Sequence, residues 1–235
     1  VGTCESAKVS TTLTINALPT PNLTGDTSFC DGATGSLDAG SGYDAYAWSV
    51  AGSNQSINIT QGGNYSVTVT DQNGCTATDN INVTLNANPT PNITGPLTFC
   101  TGFNTTLNAG AGFVSYNWSP AGSAQTLLVN QPGIYAVTVT DNNGCVGTDA
   151  VTVNENTSLS PNIDGNLSFC VNANTTLDAG AGYNTYAWSP TGNTQTINAT
   201  TAGTYTVTVS DVNGCTGTDA VTLNTNPLPV PTVSG

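Results

Sequence analysis

Short runs of strict alternation between apolar and polar residues recur along the chain. In residues 133–141 (GIYAVTVTD), Tyr135, Val137 and Val139 fall on one face, and Ala136, Thr138 and Thr140 on the other. Residues 148–154 repeat the pattern with Val151 and Val153. Residues 114–118 place Tyr116 and Trp118 on one side, and residues 104–110 carry Leu107 inward before ending on glycine. Residues 91–95 and 125–130 complete the set. Alternation with period two, β-branched residues and turn signals every few positions predict half-buried antiparallel strands. No helical period of useful length appears. Between the last two runs lies Asn143-Gly144, which predicts a two-residue hairpin turn with positive φ at both residues.

The whole pattern repeats. YSVTVTDQNGCTATD starts at Tyr65, YAVTVTDNNGCVGTD at Tyr135 and YTVTVSDVNGCTGTD at Tyr205, so the period is 70 residues. That is long for a solenoid repeat, which buries its core only against its neighbours, and nearer the size of a small independent β domain. The chain is read as modules in series: 19–88, 89–158 and 159–228. Residues 1–18 are the C-terminal remnant of a preceding module and 229–235 the first strand of a following one. The chain therefore reads as an excerpt from something longer.

Six or seven short strands with a tryptophan on the third suggest an immunoglobulin-like β-sandwich. The expected class is all-β, with tandem immunoglobulin-like modules in a rod-like array. Trp48, Trp118 and Trp188 are core aromatics, as are Tyr65, Tyr135 and Tyr205, which sit where that fold places its corner tyrosine. Stacking of sugars on the tryptophans and on Tyr46, Tyr116 and Tyr186 is the competing use; spacing two along one strand favours an inward face. The linkers are short and proline-bearing, hence semi-rigid spacers.

Seven cysteines follow the repeat. Each module holds two, and the simplest pairing is within modules: Cys30–Cys75, Cys100–Cys145 and Cys170–Cys215. Cys4 matches the second cysteine of a preceding module and is left unpaired. Spacing alone does not fix connectivity. Such a bridge would clamp the hairpin end to the segment before the second strand, closing a loop worth about 4 kcal/mol in the chain-entropy model. Disulfides imply an oxidising, extracellular or cell-surface location. Zinc is disfavoured, because there is neither a histidine nor a CxxC pair.

Charge narrows the partners. Lys8 is the sole basic residue against 14 Asp and Glu, giving a net charge of −13. Nucleic acid is excluded as a partner, since neutralising phosphates takes Lys and Arg. An anionic membrane surface is disfavoured for the same reason. No apolar run reaches the roughly 18 residues of a spanning helix, so no membrane insertion is expected. Without His or Arg, only carboxylates remain for catalysis, and Asp31 and Asp44 occur in the first module alone, so no enzyme is expected. Calcium, with six to eight oxygen ligands, is the candidate metal for Asp71, Asp79, Asp141, Asp149, Asp211 and Asp219. Against it, the first aspartate of each pair is placed to cap its own turn. Twelve Asn-x-Ser/Thr sites, including Asn22, Asn92, Asn104, Asn117 and Asn174, are candidate glycan acceptors. The strands carry few charges and no lysine, so their edges need another cover: neighbouring modules, neighbouring chains or glycans.

The assembled signature FC.G…LDAGSGY..Y.WS…G.Y.VTVTD.NGC.…D.V.V resembles the Ig-like/PKD-like tandem surface repeats of Bacteroidota. These occur in giant proteins exported by the type IX system, gliding adhesins among them. The likeness spans all three modules. It implies an extracellular or cell-surface, non-catalytic, structural or adhesive segment acting as a stalk or filament, with neighbouring modules or identical chains as partners. A carbohydrate-binding array and a spacer in a secreted enzyme are the alternatives.

Overall fold

The computed structural model describes residues 7–231. The first module contains seven strands: β1 (Thr24–Gly25), β2 (Ser28–Cys30), β3 (Gly35–Asp38), β4 (Ala45–Trp48), β5 (Ser56–Ile59), β6 (Gly63–Thr70) and β7 (Thr76–Asn86). They form a three-stranded sheet, β1-β3-β5, and a four-stranded sheet, β2-β7-β6-β4. All pairs are antiparallel except β2 with β7, which run parallel. Leu37, Ile57 and Ile59 of the small sheet share one core with Trp48, Tyr65, Val67, Val69 and Val83 of the large one. This is an immunoglobulin-like β-sandwich, and its inward faces are those the alternation predicts.

The second repeat has β8 (Thr98–Cys100), β9 (Thr105–Asn108), β10 (Ser115–Ser119), β11 (Thr126–Val129), β12 (Gly133–Thr140) and β13 (Val146–Asn156). Its opening segment is reduced to a bridge between Thr94 and Asn108. The third has β14 (Asp164–Gly165), β15 (Ser168–Cys170), β16 (Thr175–Asp178), β17 (Thr185–Ser189), β18 (Thr196–Ala199), β19 (Gly203–Ser210) and β20 (Thr216–Asn226). Its core repeats the first, with Trp188, Tyr205, Val207, Val209 and Leu223 buried.

By compactness the chain divides into two units that do not follow the blocks of seventy. One holds residues up to Thr90 together with Gly112–Ser115 and Thr138–Thr148; the other holds Pro91–Ala111, Tyr116–Val137 and everything from Asp149. The first unit is thus the first sandwich with the hairpin end of the second repeat. The second unit is the remainder of that repeat with the third sandwich.

Three local features differ from the sequence expectation. First, the Ser-Phe-Cys segment before β3 is a strand of its own, β2. Three residues are too few to display a period, and its partner is remote: Cys30 registers with Asn86. Second, the Asn-Gly hairpin is not a two-residue primed turn. Gly74 N–H donates to Asp71 C=O (3.0 Å), Asp71 N–H donates to Cys75 C=O (3.0 Å), and only Gly74 has positive φ (77°). This is the three-residue loop in which one glycine takes the left-handed position. Third, the long strands β6 and β7 lie inside their sheet, and the edges are β1, β2, β4 and β5, of two to four residues. Short edges are themselves a guard against edge-to-edge pairing.

Residues 7–18, expected to be the end of a preceding module, form no strand and leave Val9, Leu13 and Ile15 exposed. Of the segment expected to open a following module, residues 229–231 form no strand and 232–235 lie outside the described residues, as does Cys4.

Candidate functional site: the cysteine clasps

Each aspartate of the paired carboxylates has a structural task. Asp71 Oδ1 accepts the N–H groups of Asn73 (2.9 Å) and Cys75 (2.8 Å), which fixes the hairpin loop. Asp141 and Asp211 repeat these bonds with Asn143 and Cys145, and with Asn213 and Cys215. Asp79 Oδ2 accepts Leu23 N–H (2.8 Å), tying the entering chain to the last strand. Asp149 does so for Ile93 and Asp219 for Ile163, both at 2.7 Å. In the first module Asp79 lies four residues past Cys75, roughly 13 Å further along an extended strand. The structure therefore does not bring the two carboxylates of a pair to one ion. Among the described residues no three acidic, cysteine or histidine side chains are grouped for a metal.

The aromatics are committed to the fold. Trp48, Trp118 and Trp188 are buried, and their indole N–H groups donate to the carbonyls of Asn54, Ala124 and Thr194 at 2.9 Å. Tyr65, Tyr135 and Tyr205 are buried with hydroxyls donating to the carbonyls of Gln61, Gln131 and Thr201, four residues back. That is the tyrosine-corner geometry. Tyr46, Tyr116 and Tyr186 donate to Gly40, Gly110 and Gly180. No tryptophan face is left as a sugar platform. Asn22, Asn92, Asn104, Asn117 and Asn174 are all exposed.

One further network lies at the C-terminal end of β3. Asp38 accepts Gly40 N–H (2.7 Å), both carboxylate oxygens take Gln55 Nε2, and Oδ2 takes the Ser56 hydroxyl. These hydrogen bonds, the one from Gln55 foremost, hold the carboxyl below its ordinary value of 3.8. Asp178 with Gln195 repeats the clasp, and Asn108 with Gln125 repeats it in amide form.

The cysteines overturn the expected pairing. Cys30 is bonded to Cys145 and Cys100 to Cys215, with Cα–Cα separations of 5.5 and 5.6 Å and a sequence separation of 115 in each case. Cys75 and Cys170 are free. None of Cys30–Cys75, Cys100–Cys145 and Cys170–Cys215 exists. The reason lies in strand polarity. Because β2 runs parallel to β7, Cys30 stands beside Asn86 at the end where the chain leaves the sandwich. Cys75 precedes Thr76 at the hairpin end, where the chain enters. Eleven residues of extended strand separate the two positions, roughly 35 Å at ~3.3 Å each. A disulfide needs Cα atoms within about 7 Å.

What the bond joins instead is the exit cysteine of one repeat and the hairpin cysteine of the next. Cys30 and Cys145 both belong to the first compact unit, Cys100 and Cys215 to the second. The bonded hairpin cysteines are sealed, Cys145 and Cys215 each being 1% exposed. Cys75, in the same loop without a partner, is half-buried, and Cys170 is exposed. Beside the Cys100–Cys215 bond lies a cavity of about 270 Å³, lined by Pro96, Phe99 and Phe103 on one side and Gly214 and Thr216 on the other.

No family model and no curated protein matches the chain. Solved structures do. One is the Ca2+-stabilized adhesin that helps an Antarctic bacterium reach out and bind ice: 11% identity, 91% of this chain, 75% of that chain, TM-score 0.42. Another is the N-terminal eight Ig domains of Down Syndrome Cell Adhesion Molecule: 13% identity, 89% of this chain, 37% of that one, TM-score 0.43. A third is a 1.5-MDa bacterial ice-binding adhesin described for host cell surface retention: 15% identity, 90% of this chain, all of that one, TM-score 0.38. Among the described residues no helix is long and apolar enough to cross a membrane.

Proposed function

We propose that this chain is a non-catalytic structural or adhesive repeat segment of a large bacterial cell-surface or extracellular fibre protein. In this reading the modules 19–88, 89–158 and 159–228 act in series as a stalk or filament. The observation that carries it is the clasp, in which each bond spends its cysteines on holding one repeat to the next. Stable disulfides belong to oxidising compartments, which supports an extracellular or surface location. The likeness of the repeat to Bacteroidota surface proteins suggests type IX export.

Two filled clasps define what Cys75 and Cys170 lack. Cys75 has the loop of a hairpin cysteine, and its partner is the exit cysteine of a preceding module. Cys170 is an exit cysteine, and its partner is the hairpin cysteine of a following one. Those modules are supplied by further repeats or by identical chains. Each bond forms by exchange with a small-molecule disulfide: two cysteine thiols lose two protons and two electrons, and the reagent leaves as two thiols. The exposed sequon asparagines are the sites at which glycans would coat such a fibre.

Peptide mapping without reduction tests the clasp. Trypsin cleaves only at Lys8, so cleavage before aspartate is the useful route. Peptide 26–30 joined to 141–148 is the expected product; 26–30 joined to 71–78 would rule the clasp out. Gold-labelled antibody on thin sections of the source cells tests the location separately, and label confined to the cytoplasm would end the surface reading while leaving the clasp intact.

A further inference from the structure

The two disulfides overlap in sequence. Cys100 lies inside the loop closed by Cys30–Cys145, and Cys145 lies inside the loop closed by Cys100–Cys215. Overlapping bonds are neither nested nor independent, and that has a mechanical consequence. A chain pulled from its ends can extend no further than its shortest covalent path. Here that path runs from Val1 to Cys30, crosses to Cys145, runs backward to Cys100, crosses to Cys215 and continues to Gly235.

We propose that the overlapping bonds make this segment a limited-extension tether that survives the loss of either bond. The shortest path contains about 94 residue steps, against about 234 with no bond, or about 34 nm against about 84 nm at ~3.6 Å per residue. Breaking one bond, whichever it is, leaves a path of about 119 residues, near 43 nm. The first loss therefore releases only about 9 nm, and the second about 41 nm. The stretch counted twice, Cys100 to Cys145, is what makes each bond a reserve for the other. Three bonds within modules would behave differently, each freeing the same 45-residue loop. The inference rests on connectivity alone and holds wherever the protein is displayed.

Force spectroscopy on the full 235-residue chain, with handles at both termini, decides it. The oxidised chain is expected to stop near 34 nm, and treatment with a phosphine, which with one water reduces each bond to two thiols and becomes a phosphine oxide, lengthens that limit about 2.5-fold. Partial reduction should give a discrete population near 43 nm and nothing between that and the fully reduced length. Cys145→Ser should reproduce the 43 nm limit, and Cys75→Ser should leave 34 nm unchanged. Lengthening by about 16 nm in Cys75→Ser, or equal steps of that size on partial reduction, would overturn the proposal. So would one limit common to oxidised and reduced chains. Contour length is a covalent quantity, so a variant module that unfolds early still reports it, and staged reduction of the unaltered chain gives the same answer without any substitution.

Discussion

The hairpin of the first module and those of the second and third are built from the same parts and end differently. Asp71, Asp141 and Asp211 hold their loops through the same two backbone N–H groups, at 2.8–2.9 Å in every case. Gly74, Gly144 and Gly214 take φ of 77°, 81° and 84°. Yet Cys75 is free and half-buried, while Cys145 and Cys215 are bonded and sealed. The loop does not need its disulfide in order to have its shape. The aspartate and the glycine preform it, and the sulfur is presented ready for a partner that comes from another repeat.

The sharpest way to break this comparison is to remove the same cysteine from both kinds of hairpin. Cys145→Ser should lower the unfolding free energy by about 4–5 kcal/mol, the chain-entropy value for a loop of 115 residues. Cys75→Ser removes a thiol without a bond and should stay within about 0.5 kcal/mol of the parent. Urea unfolding of the oxidised proteins measures both. A comparable loss in the two variants would mean that Cys75 is bonded in solution and that the hairpins are not in different states.

Much of the sandwich is legible in the sequence alone. Tyr135, Val137 and Val139 announced their burial by alternation alone, and a corner tyrosine was readable from its place before the Val-Thr-Val run. The clasp was not legible, for a physical reason. A strict 70-residue repeat makes every exit cysteine look alike, so spacing cannot say whether Cys30 meets Cys75 or Cys145. Only strand direction distinguishes them, and that depends on β2, three residues long with no period to read. Once β2 is seen to run parallel to β7, the cysteines of one module fall at opposite ends of it. The Asn-Gly pair misled in a smaller way. It marked the turn correctly, but Asp71 takes up the neighbouring N–H groups, so Asn73 is spared the positive φ that a primed turn demands.

A gentler probe asks whether the loops are preformed to the same degree. Asp71→Ala and Asp141→Ala each strip the acceptor from two backbone N–H groups, which should cost about 1–2 kcal/mol. If the disulfide contributes nothing to loop shape, the two costs agree, and the agreement persists after reduction of Cys30–Cys145. A markedly smaller cost at Asp141 in the oxidised protein alone would show the bond holding the loop in place of the carboxylate. Urea midpoints before and after reduction distinguish these outcomes.

The smallest expected effect concerns the last residue of β3, where the repeats differ by one atom type. Asp38 carries a carboxylate where the second module has Asn108, and both hold the glutamine opposite them, Gln55 or Gln125. The hydrogen bonds from Gln55, Gly40 and Ser56 favour the charged form and depress the folded-state value below 3.8. A depressed carboxyl stabilises the fold fully above its unfolded value and loses that contribution as pH falls through the folded one. Asp38→Asn removes this titration while keeping an oxygen for Gln55 and Gly40, as Asn108 does for Gln125 and Gly110. The melting temperature of the parent should therefore exceed that of Asp38→Asn slightly at pH 6 and converge on it below pH 3.8. The two proteins differ at this position alone, so the difference isolates Asp38. A gap that stays constant across the acid range would mean that the network is held by shape, as in the second module, and that the charge at Asp38 adds nothing to it.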